Sequence, residues 1–386
     1  MSDDVACVIP DKLGGSLEIV RSLIAHRPPD APPTHLVLTH NRLDADSRAT
    51  DSESSLAAIR VEYELPRETL FAVLARLRHA LPPGGGALVS NDWIELAMEH
   101  AHPSGRPVVQ VLHGDHPYYY DLAVRHEAVI DGFVAYATAI HAGLLARLPH
   151  RRADIHYLPY GVTLPGARRR PHAGPLRLIY AGRLDQSQKG VFDLPDIDRE
   201  LARREIAVTW TVIGGGPQAQ ALRARWDHAR PVAWTGALSH AATLEALPCG
   251  DVFVLPTRSE GFPVALVEAM GAGLVPVVSD IVSGIPEVVD ARCGFRLPVG
   301  DVRAFAEAIA VLAADRGRLE EMSAAARARV AARFDPSARA RAYYDLFAAI
   351  RPRPRRPSAV PYGSRLDRPW IPNAVVRAVR GWRARP

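Results

Sequence analysis

Short apolar runs rich in β-branched residues alternate with longer stretches of helical periodicity along most of the chain. Because strands that alternate with helices form parallel sheets covered on both faces, this pattern predicts two Rossmann-like α/β domains. The predicted strands are 5–9, 35–39, 87–90, 108–112, 132–136 and 155–158, then 176–181, 207–213, 232–235, 251–255, 275–279 and 294–297. The predicted helices are 17–25, 67–80, 92–101, 139–148, 192–203, 218–228, 241–247 and 263–271, then 303–314, 319–333 and 337–350.

Glycine, proline and arginine cluster at 161–175, where no apolar period continues, so this segment is the predicted hinge. We expect an N-terminal domain, a C-terminal domain, a helix that packs back on the N-terminal domain, and a basic tail. Their predicted bounds are 1–165, 166–334, 335–350 and 351–386.

Composition excludes several classes of protein. Hydrophobic residues make up 48% of the 386 residues and charged residues 23%, which is not the composition of a mainly disordered or fibrous chain. No run approaches about 18 uninterrupted apolar residues, so we expect no membrane-spanning helix. The first residues lack the basic and apolar parts of a secretion signal. The three cysteines suit neither a disulfide framework nor a zinc site, so we expect a cytoplasmic protein.

The net charge of +5 is unevenly distributed. Residues 351–386 hold ten arginines and one aspartate, whereas the other residues hold 37 basic and 41 acidic groups. Because the basicity is local, we expect no nucleic-acid partner. On a helix, Val375, Val379 and Trp382 would line one stripe, which suits peripheral contact with the inner face of the membrane. The alternative is a solvated, disordered tail, which Gly381 and the short length favour.

The most specific segment is 254–270, where a hydrophobic strand runs into a polar loop and Pro263 is placed to open a helix. Glu260 lies in the loop and Glu268 lies eight residues later, inside the helix. A carboxylate such as Glu268 can accept two hydrogen bonds from a vicinal diol. The backbone N–H groups at the helix start suit anions and sugar hydroxyls, and they belong to Gly261, Phe262 and Val264. The alternative is an acidic turn that only complements the helix dipole.

Two cations follow the predicted strand 176–181, namely Arg183 and Lys189. Ligands of open α/β sheets bind at the carboxyl ends of the strands, and two cations there can neutralise a pyrophosphate without a metal ion. Only two of the 47 basic residues are lysine, so a retained Lys189 suggests a chemical role. The alternative is a pair of surface cations in a loop.

The run Gly214-Gly-Gly216 fits G-x-G-x-x-A after a strand, which raises dinucleotide binding. The motif follows the second strand of its domain, Pro217 interrupts the turn, and the next strand ends without an acidic residue for a ribose. We therefore interpret Gly215 and its neighbours as a tight turn or as a close approach of backbone to a nucleotide.

In the first half, Gly14 and Gly15 follow the first strand and let backbone amides come near a phosphate or another acceptor. His113 follows another strand and is placed to bond a sugar, although a lone histidine is more often structural. The pair 91–92 suits a helix N-cap.

Three motifs are absent from the sequence: an Asp-x-Asp after a strand, a G-x-S-x-G turn and a P-loop. Metal-dependent sugar transfer, α/β-hydrolase chemistry and P-loop phosphoryl transfer are therefore disfavoured. We expect no cofactor and no divalent metal.

Taken in order, these segments resemble the retaining GT-B glycosyltransferases of family 4, the glycosyl transferases group 1, over roughly residues 5–350. The strongest matches are the E-x7-E element that begins at Glu260, and Gly182-Arg183 followed by Lys189-Gly190. The supporting matches are Gly14-Gly15, His113-Gly114, 159–162, 212–217 and 284–287. The resemblance implies two Rossmann-like domains with parallel sheets facing an interdomain cleft. The N-terminal domain would be the acceptor side and the C-terminal domain the nucleotide-sugar side.

The resemblance implies roles at the phosphates and the ribose. Arg183 and Lys189 would hold the donor's diphosphate and stabilise the leaving group. Glu268 would bind the nucleotide ribose, and Gly14 and Gly15 would approach the phosphates or the acceptor.

It also implies roles at the sugar. Glu260 and the amides of Gly261 and Phe262 would face the donor sugar, and His113 would contact it. The chain departs from the family at Tyr160, where asparagine is frequent, which leaves acceptor contacts in question. The catalytic set is thus His113, Arg183, Lys189 and Glu260, and the donor-binding set is Gly14, Gly15, Gly182, Gly215, Gly261, Phe262, Pro263 and Glu268.

The function implied is metal-independent transfer of a sugar from a UDP- or GDP-linked donor to an acceptor hydroxyl, with retention, in bacterial glycan, glycolipid or glycoconjugate biosynthesis. The acceptor is unknown, and a lipid-linked or polysaccharide acceptor suits the basic tail. Three alternatives stay open: a nucleotide-sugar epimerase of similar fold, an NAD-dependent oxidoreductase, and a non-catalytic protein that binds nucleotide or lipid.

Overall fold

The computed structural model describes residues 3–12, 15–44, 57–226, 230–355, 357–360, 366–367 and 370–383. The chain forms two compact units. The first unit takes Met1–Leu158 and Ser337–Pro386, and the second takes Pro159–Pro336.

The first unit is built on a seven-stranded parallel sheet in the order β3-β2-β1-β4-β5-β6-β7. Its strands are β1 Val5–Pro10, β2 Thr34–Asn41, β3 Ala58–Tyr63, β4 Leu88–Ser90, β5 Val108–Leu112, β6 Gly132–Ala135 and β7 Ile155–Tyr157. Its helices up to β7 are α1 Gly15–Ala25, α2 Leu70–Ala80, α3 Ile94–Ala101, α4 Pro117–Arg125 and α5 Thr138–Arg147. The central strands β1, β4, β5 and β6 are almost entirely buried, as their mainly apolar sequences require in a sheet covered on both faces.

The edge strand β3 has no counterpart among the predicted strands. It pairs with β2 in the register Val61↔Thr39, and Val61 is its one buried residue. Because β3 lies at the sheet edge and alternates apolar residues with the charged Arg60 and Glu62, it lacks the continuous apolar run by which the other strands were predicted. Helix α4 was also not predicted; it begins with Pro117, and His116 accepts a hydrogen bond from the Tyr118 amide.

The second unit has a six-stranded parallel sheet in the order β10-β9-β8-β11-β12-β13. Its strands are β8 Leu176–Ala181, β9 Val208–Ile213, β10 Val232–Gly236, β11 Val252–Leu255, β12 Val275–Ser279 and β13 Phe295–Leu297. Its helices are α6 Gln186–Lys189, α7 Asp193–Arg203, α8 Ala219–Arg225, α9 His240–Ala246, α10 Val264–Ala272, α11 Ile285–Val288, α12 Val302–Ala314 and α13 Arg316–Arg333. All its strand pairs are parallel, so the prediction of two parallel α/β sheets is confirmed.

Two helices from the end of the chain pack on the first unit, α14 Pro336–Ala349 and α15 Asn373–Arg383. In α14, the Tyr343 hydroxyl donates to the Leu158 carbonyl at 2.9 Å, and Tyr344 pairs with the Thr34 hydroxyl at 2.6 Å. These partly buried bonds fix α14 against β2 and the residue that follows β7.

The basic tail differs from the solvated, disordered segment that we favoured. The Arg355 guanidinium, nearly buried, pairs with Asp131 and with Glu99, and the Ser358 amide donates to the His100 carbonyl at 2.7 Å. The expectation is wrong for Arg355 and Ser358, because carboxylates within residues 1–158 pair with the tail's arginines, whereas residues 351–354 are exposed. Among the residues that the structure describes, no helix is both long and apolar enough to cross a membrane.

Candidate active site

The carboxyl edge of the second sheet gathers the loops in which most candidate residues lie. Strand β8 pairs with β9 on one side and with β11 on the other, and all three run parallel. The loops after these strands therefore leave the sheet at the same edge.

Lys189 and Glu260 form an ion pair at this edge. The Lys189 Nζ donates to both carboxylate oxygens of Glu260, at 2.6 and 2.8 Å. The side chain of Glu260 is only 4% exposed and that of Lys189 is 18% exposed. The structure thus brings together two of the predicted catalytic residues, and each compensates the other's charge where water is largely excluded.

The short helix α6 places Lys189. Asp185 caps it by accepting from the Gln188 amide at 2.8 Å, and Gly190 ends it with a φ of 63°. A Cβ at Gly190 would lie 2.1 Å from the carbonyl oxygen of Pro256, which begins the loop after β11, so only glycine fits there. Glycine after Lys189 is therefore a structural requirement.

Further hydrogen bonds tie α6 to the loop that carries Glu260. The Gln188 carbonyl accepts from the Thr257 hydroxyl at 2.9 Å and from the Arg258 amide at 2.8 Å. Arg258 also pairs with Asp193 at 3.0 Å. The two loops therefore form one structural piece, and Thr257, which the sequence did not single out, helps to join them.

Glu268 lies within α10, and its side chain is 4% exposed. Its carboxylate is held by His240, whose Nε2 lies 2.6 Å from Oε1. His240 was not predicted, because a single histidine after a weak edge strand carries no motif. Pro263 is the N-cap residue of α10, so Glu260 lies before the helix, as predicted.

The Phe262 ring packs inside an aromatic cluster. Its centroid lies 5.5 Å from that of Tyr160 and 5.4 Å from that of Phe334. Tyr160, the residue that departs from the family pattern, is buried and thus holds the loop in place. The roles proposed for the amides of Gly261 and Phe262 stay predictions.

The glycine run after β9 packs on the loop after β8. A Cβ at Gly214 would lie 1.9 Å from the Gly182 carbonyl oxygen, and the Leu184 amide donates to the Gly215 carbonyl at 2.8 Å. These contacts agree with the tight-turn interpretation. Arg183 lies in the same loop with its side chain exposed.

The first unit has its own polar cluster at the carboxyl edge of β4 and β5. His113 Nε2 lies 2.7 Å from Asn91 Oδ1, and Asn91 Nδ2 donates to the Val8 carbonyl at 2.7 Å. Burial lowers the pKa of His113 to about 4, so this imidazole is neutral at neutral pH. Gly15 begins α1, whereas Gly14 lies outside the described residues.

Glu95 supports the same cluster from α3. Its Oε1 accepts from the amides of Asn91 and Asp92, both at 2.7 Å, and from the Ser90 hydroxyl at 3.0 Å. Burial raises its pKa to about 7. We expected the pair 91–92 to cap α3, and this is wrong. Trp93 is the N-cap residue, and Glu95 accepts from the two amides that precede it.

Asp92 and Tyr118 complete this edge. The Tyr118 hydroxyl donates to Asp92 Oδ1, and burial raises the pKa of the Asp92 carboxyl. Tyr118 was not among the predicted site residues, because helix α4 was not predicted.

Residues 175–315 match the family model of the glycosyl transferases group 1. This segment belongs to the group 1 glycosyltransferases. It contains β8 to β13 and every candidate residue of the second unit, and the family predicted from the sequence is confirmed.

Curated relatives of this chain include glycogen synthase of Mycobacterium tuberculosis, 33% identical over 202 residues, 50% of this chain and 48% of the relative. The colanic acid biosynthesis glycosyltransferase WcaL of Escherichia coli, a putative assignment, is 34% identical over 182 residues, 44% of each chain. The chain thus spans about half the length of the curated relatives that it matches.

Solved structures confirm the GT-B fold of this chain. Anabaena HepE in complex with UDP and glucose has a TM-score of 0.74 at 15% identity, covering 91% of this chain and all of that one. Sucrose-phosphate synthase from Thermosynechococcus elongatus has a TM-score of 0.70 at 19% identity, covering 90% of this chain and all of that one.

Proposed function

We propose that the chain transfers a sugar from a nucleotide-diphosphate sugar, UDP- or GDP-linked, to an acceptor hydroxyl with retention of the anomeric configuration. The observation that carries the proposal is the Lys189–Glu260 ion pair, followed in α10 by the buried Glu268 carboxylate that His240 holds, all within the group 1 segment. A cation for a diphosphate and a carboxylate for a ribose are the two features that a nucleotide-sugar site needs.

In the proposed reaction, the acceptor hydroxyl attacks the anomeric carbon from the face that the nucleotide leaves. The bond from the anomeric carbon to the phosphate oxygen breaks as the new glycosidic bond forms, through an oxocarbenium-like transition state. The hydroxyl proton passes to the leaving diphosphate. Lys189 and Arg183 stabilise the negative charge that develops on that diphosphate.

The ion pair fits this role because it can change partners. Lys189 has three donors, two of which bond Glu260 in this structure. A diphosphate that reaches Lys189 competes with Glu260 for the ammonium group, and the Glu260 carboxylate is then available to sugar hydroxyls. We propose that two cationic side chains take the place of a divalent metal.

The pathway is proposed from the relatives. WcaL is named for colanic acid biosynthesis, and a 26% identical relative, the putative TuaC of Bacillus subtilis, for teichuronic acid biosynthesis. We therefore propose that this chain works in bacterial glycan or glycolipid biosynthesis in the cytoplasm, with a polysaccharide or lipid-linked acceptor. Contact of the tail with the inner membrane face belongs to the same proposal.

The first experiment is a thermal-shift panel of UDP-, GDP-, ADP- and TDP-sugars and NAD, each with and without EDTA. A donor at about 100 times its Kd stabilises the protein by about 2.7 kcal/mol, which gives a clear shift. We expect one nucleotide class to shift Tm equally with and without EDTA. Loss of the shift in EDTA would contradict metal independence, and a shift with NAD alone would contradict the transferase.

The donor identified in this way is then incubated with the protein and no acceptor. An epimerase would convert the sugar under these conditions, whereas the proposed transferase needs an acceptor hydroxyl. Conversion of donor to its epimer would therefore replace the proposal, and binding without turnover on any acceptor panel would favour the non-catalytic alternative.

A further inference from the structure

The Glu268 carboxylate receives a bond from a different segment of the second unit. His240 Nε2 lies 2.6 Å from Glu268 Oε1, and the side chains are 28% and 4% exposed. Among the described residues, His240 is the one side chain that bonds this carboxylate. The pair therefore joins the start of α9 to the interior of α10.

The backbone around His240 is itself fixed. Strand β10 ends at Gly236, where φ is 72° and the pairing with β9 shifts register. Ser239 then caps α9 by accepting from the Ala242 amide at 3.2 Å, and the Thr243 hydroxyl donates to the Ser239 carbonyl at 2.9 Å. His240 is thus the first residue of a capped helix, so its imidazole approaches Glu268 from a defined position.

We infer that His240 is a positioning residue that orients the Glu268 carboxylate to recognise the vicinal diol of a nucleotide ribose. This inference rests on the proposed function, in which a nucleotide diphosphate binds at this edge. It assigns a residue that neither the sequence motif nor the family comparison singles out.

The physical reason is the free rotation of a carboxylate about its last torsion angle, which is broad for glutamate. Two hydroxyl groups of a diol donate to a carboxylate only when the carboxylate plane faces them. A bond from His240 to Oε1 fixes that plane before the ligand arrives. The conformational entropy of the Glu268 carboxylate is then lost on folding and not on binding, so the affinity for the diol rises.

The test compares ligands with and without a complete diol. Binding of UDP, GDP and their 2′-deoxy counterparts is measured by calorimetry on the full chain, and the ratio of deoxy to ribo Kd is taken for the tighter base. A hydrogen bond to a charged group contributes about 1.5–3 kcal/mol, so the wild-type ratio is expected to be on the order of 10 or more.

His240→Ala is expected to weaken binding of the ribo ligand about 10-fold and to lower the ratio below about 3. His240→Gln, whose side-chain amide also donates, is expected to keep a ratio above 3. The matched control is His150→Ala, because His150 bonds Glu127 at the same 2.6 Å on an exposed surface of the first unit. This control should keep both the affinity and the ratio.

A wild-type ratio near one, or a His240→Ala protein that keeps the wild-type ratio, would overturn the inference while UDP or GDP binding upholds the proposed function. Wild-type protein that binds neither nucleotide would instead refute the proposed function and the inference with it. Should His240→Ala fail to fold, His240→Leu, which cannot donate, takes its place: a ratio below about 3 supports the inference, and the wild-type ratio overturns it.

Discussion

The carboxyl edges of the two sheets handle buried polar groups in different ways. At the edge of the second sheet, buried carboxylates are paired, Glu260 with Lys189 and Glu268 with His240. At the carboxyl ends of β4 and β5 in the first sheet, burial favours neutral groups instead, whereas Asp11, at the end of β1, is buried and pairs with Arg60 at 2.6 Å. His113 has a pKa of about 4 and Glu95 a pKa of about 7.

This difference indicates different ligands. A cation that is held only by a neighbouring carboxylate can exchange that partner for an anion, as a diphosphate requires. A neutral imidazole and an amide bond hydroxyl groups without attracting charge. The charged edge therefore suits the phosphates of the donor in the proposed function, and the neutral edge suits sugar or acceptor hydroxyls.

Lys189→Ala tests most directly whether the charged edge of the second sheet serves the leaving group. Loss of a preorganised charge at a leaving group is expected to lower kcat about 100- to 1,000-fold. The control is Arg199→Ala, which removes an exposed cation from α7 that pairs with Asp196. Turnover of Lys189→Ala within threefold of wild type, in the assay in which Arg199→Ala is unchanged, would remove Lys189 from the proposed mechanism.

The same substitution tests whether the pair belongs to the protein interior. Lys189→Ala leaves the Glu260 carboxylate buried without its cation, which should lower the free energy of unfolding by about 3 kcal/mol. The double variant Lys189→Met with Glu260→Gln carries no charge there and should recover most of that loss. Urea unfolding of the three proteins measures both changes, and equal losses in the single and double variants would contradict the pairing argument.

A third prediction concerns the neutral edge of the first sheet. The pKa of Glu95 is raised to about 7 in the folded protein, above its ordinary value, so its contribution to stability is complete at low pH and is lost as pH rises through 7. Between pH 5 and pH 8 wild type should lose about 2 kcal/mol through this group.

Glu95→Gln should remove that dependence, because the amide does not ionise. Unfolding free energies at pH 5 and pH 8 measure it for both proteins. If wild type and Glu95→Gln show the same slope with pH over this range, Glu95 does not titrate as the burial argument requires.

The smallest effect tests the backbone under Lys189. Gly190→Ala places a Cβ 2.1 Å from the Pro256 carbonyl oxygen at a positive φ, whereas Gly300 has a similar φ of 77° and open space around it. Gly300→Ala should cost about 1 kcal/mol through its φ alone. Gly190→Ala should cost more and should also weaken nucleotide binding. If thermal unfolding shows equal losses of stability for the two variants, the loop after β11 moves to accept the Cβ at residue 190 without a measurable penalty.

The sequence predicted most strands of both sheets because parallel strands buried on both faces are nearly continuously apolar, as β1 and β11 are. It also predicted that Lys189 and Glu260 belong to one site, because the loops after parallel strands share an edge. It could not show that these two residues pair with each other, since that depends on the side-chain reach set by α6 and Gly190.

The features that the sequence missed depend on tertiary contacts. Strand β3 alternates apolar and charged residues, and it pairs with the neighbouring β2 alone. His240 acquires its role from a partner 28 residues away on a different helix. Arg355 was predicted to be solvated because the carboxylates that receive it, Asp131 and Glu99, lie more than 200 positions earlier.

Residues near the end of the sequence supply hydrogen-bond partners to a helix of the N-terminal half. The amides of Thr69 and Leu70, at the start of α2, donate to the side chains of Asn373 and Asp367. Because translation runs from the N-terminus, the whole second unit is synthesised before residues 337–386, which belong to the first unit. Premature termination near residue 350 would therefore damage the N-terminal unit, although every residue of its sheet had been translated, and would spare the unit made later.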